Sequence, residues 1–346
     1  MYPFVAVVTE STALIATAPF HSPYGSLAAR LKPRATAAGW LARDEAIMGT
    51  AIRVELWCED RAEGTRAIEA VMAEMHRIDR TMSPHKADSE LSRINREAGT
   101  FAVPLSDEMF RLLLEADGHS RLSGGAFDIT YAAVGQLYDY RAGTGPSDAE
   151  LQAARAAVGW QHLQLDAKAR SVRFLRPGMR IDLGGFAKGH AVDSAAAILK
   201  RRGIRHAMVS AGGDSRVIGD KRGRPWMIGV RDPRRAGKVV AMLPLEDTSI
   251  STSGDYERYF EAEGTRFHHV IDPSTGRSPH AVQSVTVLAE DGLTTEAVSK
   301  MVFVLGVEQG MRLIRSMRGV DAIVVDAAGT LHFSAGLQPA EPEARP

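Results

Sequence analysis

Apolar and polar residues alternate along 51–57 (AIRVELW), the two-residue period of a half-buried strand. Beyond it, Ile68, Val71, Met72, Met75 and Ile78 recur at three- and four-residue intervals, which predicts a helix over 66–82 with one apolar face. The methionines of that stripe read as core rather than as ligands. Further amphipathic helices are predicted over 105–120 and 148–158, and two short strands over 163–174 on either side of the polar turn 166–171. More strands are expected at 206–210, 225–230, 239–245, 249–253 and 284–289. A long helix opens near Thr294, and short strands at 322–325 and 331–333 close the pattern.

One stretch interrupts this regularity: residues 181–193, IDLGGFAKGHAVD. The apolar residues 172–174, Met179 and Ile181 enter it like a strand, and Ala191, Val192 and residues 195–199 leave it at helical spacing. Between them stand Asp182, Gly184, Gly185, Lys188 and Gly189. Glycines at a strand-to-helix turn let the backbone approach a ligand, and the first amides of the following helix favour an anion. Lys188 adds a mobile positive charge. The stretch therefore reads as a phosphate-cradling turn; a tight turn whose glycines serve only the backbone fits the same residues. The spacing is neither GxGxxG nor that of a P-loop, so neither of those folds is supported.

Composition narrows the field. The chain of 346 residues is 45% hydrophobic and 24% charged, ordinary for a soluble globular protein. Its 42 basic and 42 acidic residues balance, which argues against bulk nucleic-acid binding. Cys58 is the single cysteine, excluding an intramolecular disulfide or a cysteine-based zinc site. No run of about 18 apolar residues occurs, so no transmembrane helix is predicted. Residues 4–20 are moderately apolar but are interrupted by Glu10 and Ser11 and preceded by no basic residue, a weak leader. Residues 30–38 read as a linker or a loose helix. The expected organisation is a weakly structured extension over 1–44, one domain over 45–336, and a disordered Pro/Glu tail over 337–346.

The adjacent His268 and His269 form a polar cluster ahead of an apolar pair. A histidine near neutral pKa suits proton transfer from a hydroxyl, whereas strand alternation alone would put the two on opposite faces. Zinc would need more ligands at fixed spacing, and none are found.

Several stretches together resemble the FAD:protein FMN transferase family, the ApbE-type proteins. The family string close to DLGGIAKGYAVD is matched almost letter for letter at 182–193. In family order the chain also carries MGT at 48–50, SELSRIN at 89–95 and GAFDIT at 125–130. AGGD follows at 211–214, PW at 225–226, TSGDYERY at 252–259 and HVIDPSTGR at 269–277. The resemblance spans about 48–333. It implies an α+β fold, a single domain of antiparallel sheets with packed helices, holding FAD between its two halves. The implied reaction cleaves FAD at its pyrophosphate, attaches FMN to a Ser or Thr of a flavoprotein partner and releases AMP.

By family position, Met48, His85, Ala126, Phe127, Asp128, Asp182, Lys188 and Ile271 line the FAD site. The Gly185 carbonyl and Glu296 face the metal, and His269 assists the acceptor hydroxyl, with His268 as the outer histidine. Two positions depart from the family. His85 stands where an aromatic ring usually contacts the flavin nucleotide; a solvated loop histidine is the plainer reading. Glu296 and Lys300 stand where an Asp and a Thr one turn apart help hold magnesium. A protonated amine has no lone pair to give a metal, so the magnesium site is expected to be weakened or replaced by Lys300. Those departures leave an FAD-binding carrier, or an FAD pyrophosphatase using water, as alternatives. With no clear leader or lipid-bearing cysteine the expected compartment is the cytoplasm, while the resemblance also admits the periplasm.

Overall fold

The computed structural model describes residues 38–338; most of the expected extension and nearly all of the tail lie outside the described residues. The chain enters through the hairpin of β1 (Gly39–Ile47) and β2 (Thr50–Cys58). Its turn uses Met48 and Gly49 at φ 55° and 68°, the left-handed region. The sheet therefore begins before the boundary set at residue 45. The alternation was masked there because β1 is an edge strand and carries Arg43, Asp44 and Glu45, charges of the kind that protect an edge.

Helix α1 (Arg61–Met82) follows, started by Asp60, whose side chain accepts the Ala62 N–H. It buries the predicted stripe of Ile68, Val71, Met72, Met75 and Ile78, with Ala67 and Met82 beside it. Next come α2 (Glu90–Glu97), β3 (Val103–Pro104), α3 (Asp107–Leu122), the short α4 (Ala132–Gly135) and α5 (Asp148–Arg155). Strands β4 (Leu163–Asp166) and β5 (Ser171–Phe174) pair as predicted, with β3 on the other side of β5. Then follow α6 (Ala187–Arg201), β6 (Ala207–Ala211) and β7 (Asp214–Ile218). The hairpin β8 (Trp226–Arg231) and β9 (Val239–Leu245) precedes β10 (Ser249–Gly254). A second hairpin joins β11 (Tyr259–Ala262) to β12 (Thr265–His268). The chain closes with β13 (Val282–Ala289), α7 (Gly292–Ser316), β14 (Asp321–Asp326) and β15 (Leu331–Phe333). Buried Gly306, at φ 74°, breaks α7 in its middle. No helix among the described residues is long and apolar enough to cross a membrane.

Eight strands form one antiparallel sheet in the order β1-β2-β6-β7-β10-β13-β14-β15. Alternation sorts its side chains between two cores. Ile52, Val54, Leu56, Val209, Val285, Val287 and Val324 meet α1, α6 and α7 in the main core. Met208, Val217, Ile250, Leu288 and Ile323 face the other way, under the β8–β9 hairpin and Trp226. Trp40 lies edge-on between Trp57 and Trp226 on that face, with the Lys221 ammonium over Trp40 and Trp226. This is the α+β, antiparallel single domain expected.

Two local expectations are corrected. The strand leading into the glycine stretch ends at Phe174, and 175–186 has no regular structure. Ile181 instead pairs with a side chain: its N–H donates to Asn95 Oδ1 at 2.8 Å, and Asn95 Nδ2 donates to its carbonyl at 2.9 Å. The amide of Asn95 thus stands in for a neighbouring strand. The segment 125–130, read without the resemblance as a helix-to-strand turn, passes from α3 into a 3₁₀ turn over Ile129–Tyr131 and then α4.

Candidate active site

Four separated segments converge on one pocket: residues 126–131, 182–185, 269–273, and Lys300 with Val304 on α7. The first wall is built by capping. Ser123, just past α3, accepts the Phe127 N–H at 3.0 Å, and Phe127 packs edge-on against His119 and Phe186. Buried Asp128 accepts the Thr130 N–H (2.8 Å), the Thr130 hydroxyl (2.7 Å) and the Trp160 N–H (2.9 Å). Burial pushes its pKa up and these donors partly oppose that. The Asp128 carboxylate is thus committed to shaping the wall.

Asp182 forms the second wall. Its N–H donates to the Ile129 carbonyl at 3.0 Å, and its Oδ1 accepts the Gly184 N–H at 2.6 Å and the Tyr131 hydroxyl at 3.3 Å. Burial foremost, then Asp182, raises the Tyr131 pKa well above its usual value and keeps that hydroxyl a donor. The turn continues through Gly184 and Gly185 into α6.

The first turn of α6 meets an anion of the protein's own. Glu296 on α7 is fully buried; its Oε2 accepts the Gly189 N–H at 2.8 Å and its Oε1 contacts the Lys188 ammonium. Lys188 also reaches Asp214 Oδ2 at 3.1 Å. Burial acts to lower the Lys188 pKa, but Asp214 and Glu296 outweigh it and hold the ammonium charged. Burial and Asp214 raise the Glu296 pKa against the pull of Lys188 and Lys300. The network runs on through hydroxyls. Ser251 donates to Asp214 Oδ1 at 2.5 Å, Ser299 lies 3.4 Å from Ser251 and 2.8 Å from Ser253, and Lys300 Nζ donates to Ser253 at 2.7 Å.

Gly189 serves packing. A Cβ there would lie 2.1 Å from the Gly292 carbonyl oxygen, so α6 and α7 touch backbone to backbone at their first turns. Asp193 on α6 fastens the contact by accepting the Gly292 N–H at 2.8 Å and the Leu293 N–H at 3.0 Å. Of the three glycines in the stretch, Gly184 and Gly185 reach the pocket and Gly189 does not.

The two histidines divide their duties. His268 is buried, with its N–H on Ser278 Oγ at 2.9 Å and Nε2 on the Pro279 carbonyl at 2.8 Å. Burial pushes its pKa down to about 4. It is the inner residue, not the outer one expected. His269, just past β12, lines the pocket and anchors its amide on the Arg258 carbonyl at 3.0 Å. Burial first, then the Lys300 ammonium, holds its pKa well below 6.5, so the imidazole is neutral and able to take a proton.

The pocket wall thus includes Ala126, Phe127, Asp128, Asp182, Gly185, His269 and Ile271, with Lys188 and Glu296 hydrogen-bonded beneath it. Met48 and His85 are not on it. Met48 sits in the β1–β2 turn, partly buried against the main core. His85 is exposed in the loop after α1, which Ser89 ties back through its hydroxyl to the Ser83 carbonyl at 2.7 Å. Among the site residues not given a role from sequence, Asp214 was signalled by the AGGD string at the head of β7, whereas nothing in the pattern marked Tyr131.

Comparison with known proteins identifies the family. Residues 48–324 match the ApbE family. The chain belongs to that family. It is 32% identical over 314 residues to the FAD:protein FMN transferase of Treponema pallidum, covering 85% of this chain and 87% of that protein. The crystal structure of the ApbE protein from Thermotoga maritima superposes with a TM-score of 0.80 at 32% identity, covering 86% of this chain and 98% of that one. The flavin transferase ApbE from Vibrio cholerae gives 0.77 at 28% identity, with the same coverage.

The magnesium implied by the ApbE resemblance can be tested against these side chains. Glu296 has one oxygen on Lys188 and the other on a backbone N–H, and Asp214 has one on Lys188 and the other on Ser251. The position one turn after Glu296 offers an ammonium. Among the described residues no group of three or more His, Cys, Asp or Glu is placed to hold a metal ion. As arranged, the residues do not fit a divalent cation, because the oxygens of Glu296 and Asp214 already accept from Lys188, the Gly189 N–H and Ser251, and the position one turn along the helix presents a second ammonium.

Proposed function

We propose that the pocket takes FAD and that the protein transfers its FMN portion to a Ser or Thr hydroxyl of a flavoprotein partner. The supporting observation is that motifs far apart in sequence meet at one pocket: the 126–128 wall, the Asp182 turn and His269. The acceptor oxygen forms a bond to the phosphorus on the riboflavin side. The P–O bond of the pyrophosphate bridge breaks, AMP leaves with the bridging oxygen, and the hydroxyl proton passes to the neutral imidazole of His269. The Asp182 turn fixes the second pocket wall, and Phe127 and Ile271 exclude water from one side.

The test is incubation of the protein with FAD and an isolated acceptor domain, followed by mass spectrometry of the acceptor. A covalent gain of one FMN on a Ser or Thr is the expected result. Intact bound FAD with an unmodified acceptor would identify a carrier instead, and free FMN with AMP a pyrophosphatase.

A further inference from the structure

Lys300 is the cation of this site that no carboxylate claims. Lys188 sits between Asp214 and Glu296, but no acidic oxygen lies within 4.0 Å of the Lys300 ammonium among the described residues. Its one hydrogen bond there goes to the Ser253 hydroxyl, at 2.7 Å. An ammonium carries three donors, so two remain for a ligand. The side chain lines the pocket, and its stem runs beside the glycine turn: a Cβ on Gly185 would lie 4.0 Å from Lys300 Cγ.

Charge accounting leads the same way. Asp214, Lys188 and Glu296 together carry one surplus negative charge, which would repel a pyrophosphate. Lys300 cancels it and presents its positive end to the pocket. Burial disfavours that charge, and Glu296 partly compensates. A phosphate oxygen at the two free donors would supply the missing anion through short, charge-assisted hydrogen bonds. A divalent ion in the same place would face both ammonium groups, and each like-charge contact at about 4 Å is strongly repulsive in a partly dry site.

We infer that Lys300 supplies the positive charge at the pyrophosphate, so that the protein binds FAD without a divalent metal. This rests on the flavin reading above, and the experiment separates the two. FAD is titrated calorimetrically into the protein in chelator and again in magnesium. The parent should bind in both, with affinities within about threefold of each other. Lys300→Met keeps the stem and removes the charge, and it should weaken binding about tenfold to a hundredfold in both buffers with an unchanged circular dichroism spectrum. Lys300→Thr combined with Glu296→Asp should make FAD binding depend on magnesium. A parent that loses FAD in chelator and regains it with magnesium overturns the inference while leaving the flavin reading intact. So does a Lys300→Met protein with parental affinity. Failure of the folded parent to bind FAD in either buffer overturns the flavin reading, and this inference with it.

Discussion

Replacing Gly189 by alanine separates two roles for the glycine stretch. In the structure a Cβ at this position lies 2.1 Å from Gly292 O, 2.5 Å from Gly292 C and 2.8 Å from Leu293 N. An ordinary contact needs about 3.5 Å, so the first turns of α6 and α7 must part by more than an ångström. All three obstacles are backbone, which cannot rotate aside as a side chain can. Overpacking of this kind costs about 1–3 kcal/mol, and the upper end applies here. Against it, alanine is favoured over glycine inside a helix by about 0.5–1 kcal/mol. The expected net loss is about 2 kcal/mol, or about 3 °C in Tm for a domain of roughly 300 residues. Urea and thermal unfolding of Gly189→Ala beside the parent measure it. FAD affinity should fall as well, because the Gly189 N–H holds Glu296 and Glu296 holds Lys188. A variant at least as stable as the parent refutes the packing argument. Lost FAD binding at unchanged Tm would return Gly189 to the role of a ligand cradle.

Other expectations follow from the same geometry. Asp182→Ala frees the Gly184 amide and the Tyr131 hydroxyl, and FAD affinity measured by calorimetry should drop about tenfold to a hundredfold; an unchanged dissociation constant would remove Asp182 from the site. His269→Ala should slow FMN transfer about 10²–10⁴-fold at saturating FAD while changing FAD affinity far less. Because burial and Lys300 lower the imidazole pKa, the acid limb of kcat/KM due to His269 should lie below pH 6.5; a limb at or above that value contradicts the assignment. At the other end of the helical layer, the His190 hydrogen bond and the Arg77 fork hold Glu108 at about 2, below its usual 4.5. Since the folded-state value is the lower one, this stabilisation is complete above pH about 4.5 and disappears as the pH falls towards 2. Glu108→Gln should flatten that part of the urea-midpoint profile by about 1–2 kcal/mol after solvent screening; a profile identical to the parent's excludes the cluster as the cause.

What the amino-acid pattern revealed depended on whether one element or two were involved. The α1 stripe and most strands were readable because each side chain's burial follows from its own alternation. β1 was not, because an edge strand can place Arg43, Asp44 and Glu45 in solvent and lose the pattern. The irregular run into Ile181 was missed for a different reason. Its pairing partner is the side chain of Asn95, 86 residues away, and periodicity carries no information about such contacts. In the candidate site, Asp182, Gly185 and His269 could be named from local strings, and they line the pocket. The work of Gly189, the bonding of Asp128 and the isolation of Lys300 depended on which helix or loop packs opposite, and only the assembled fold supplies that.

The distribution of the four tryptophans gives the protein two separate optical windows. Trp40, Trp57 and Trp226 cluster edge to face under the β8–β9 hairpin, so their emission follows the integrity of β1 and that cover. Trp160 stands apart. Its backbone N–H, not its indole, holds Asp128, a pocket-wall residue, while its ring lies under the Arg121 guanidinium. Of the four tryptophans, it is the one whose main chain is fixed to the pocket wall. A protein keeping only Trp160 would therefore report on the 126–128 wall through that backbone tie, and one keeping only the other three on unfolding.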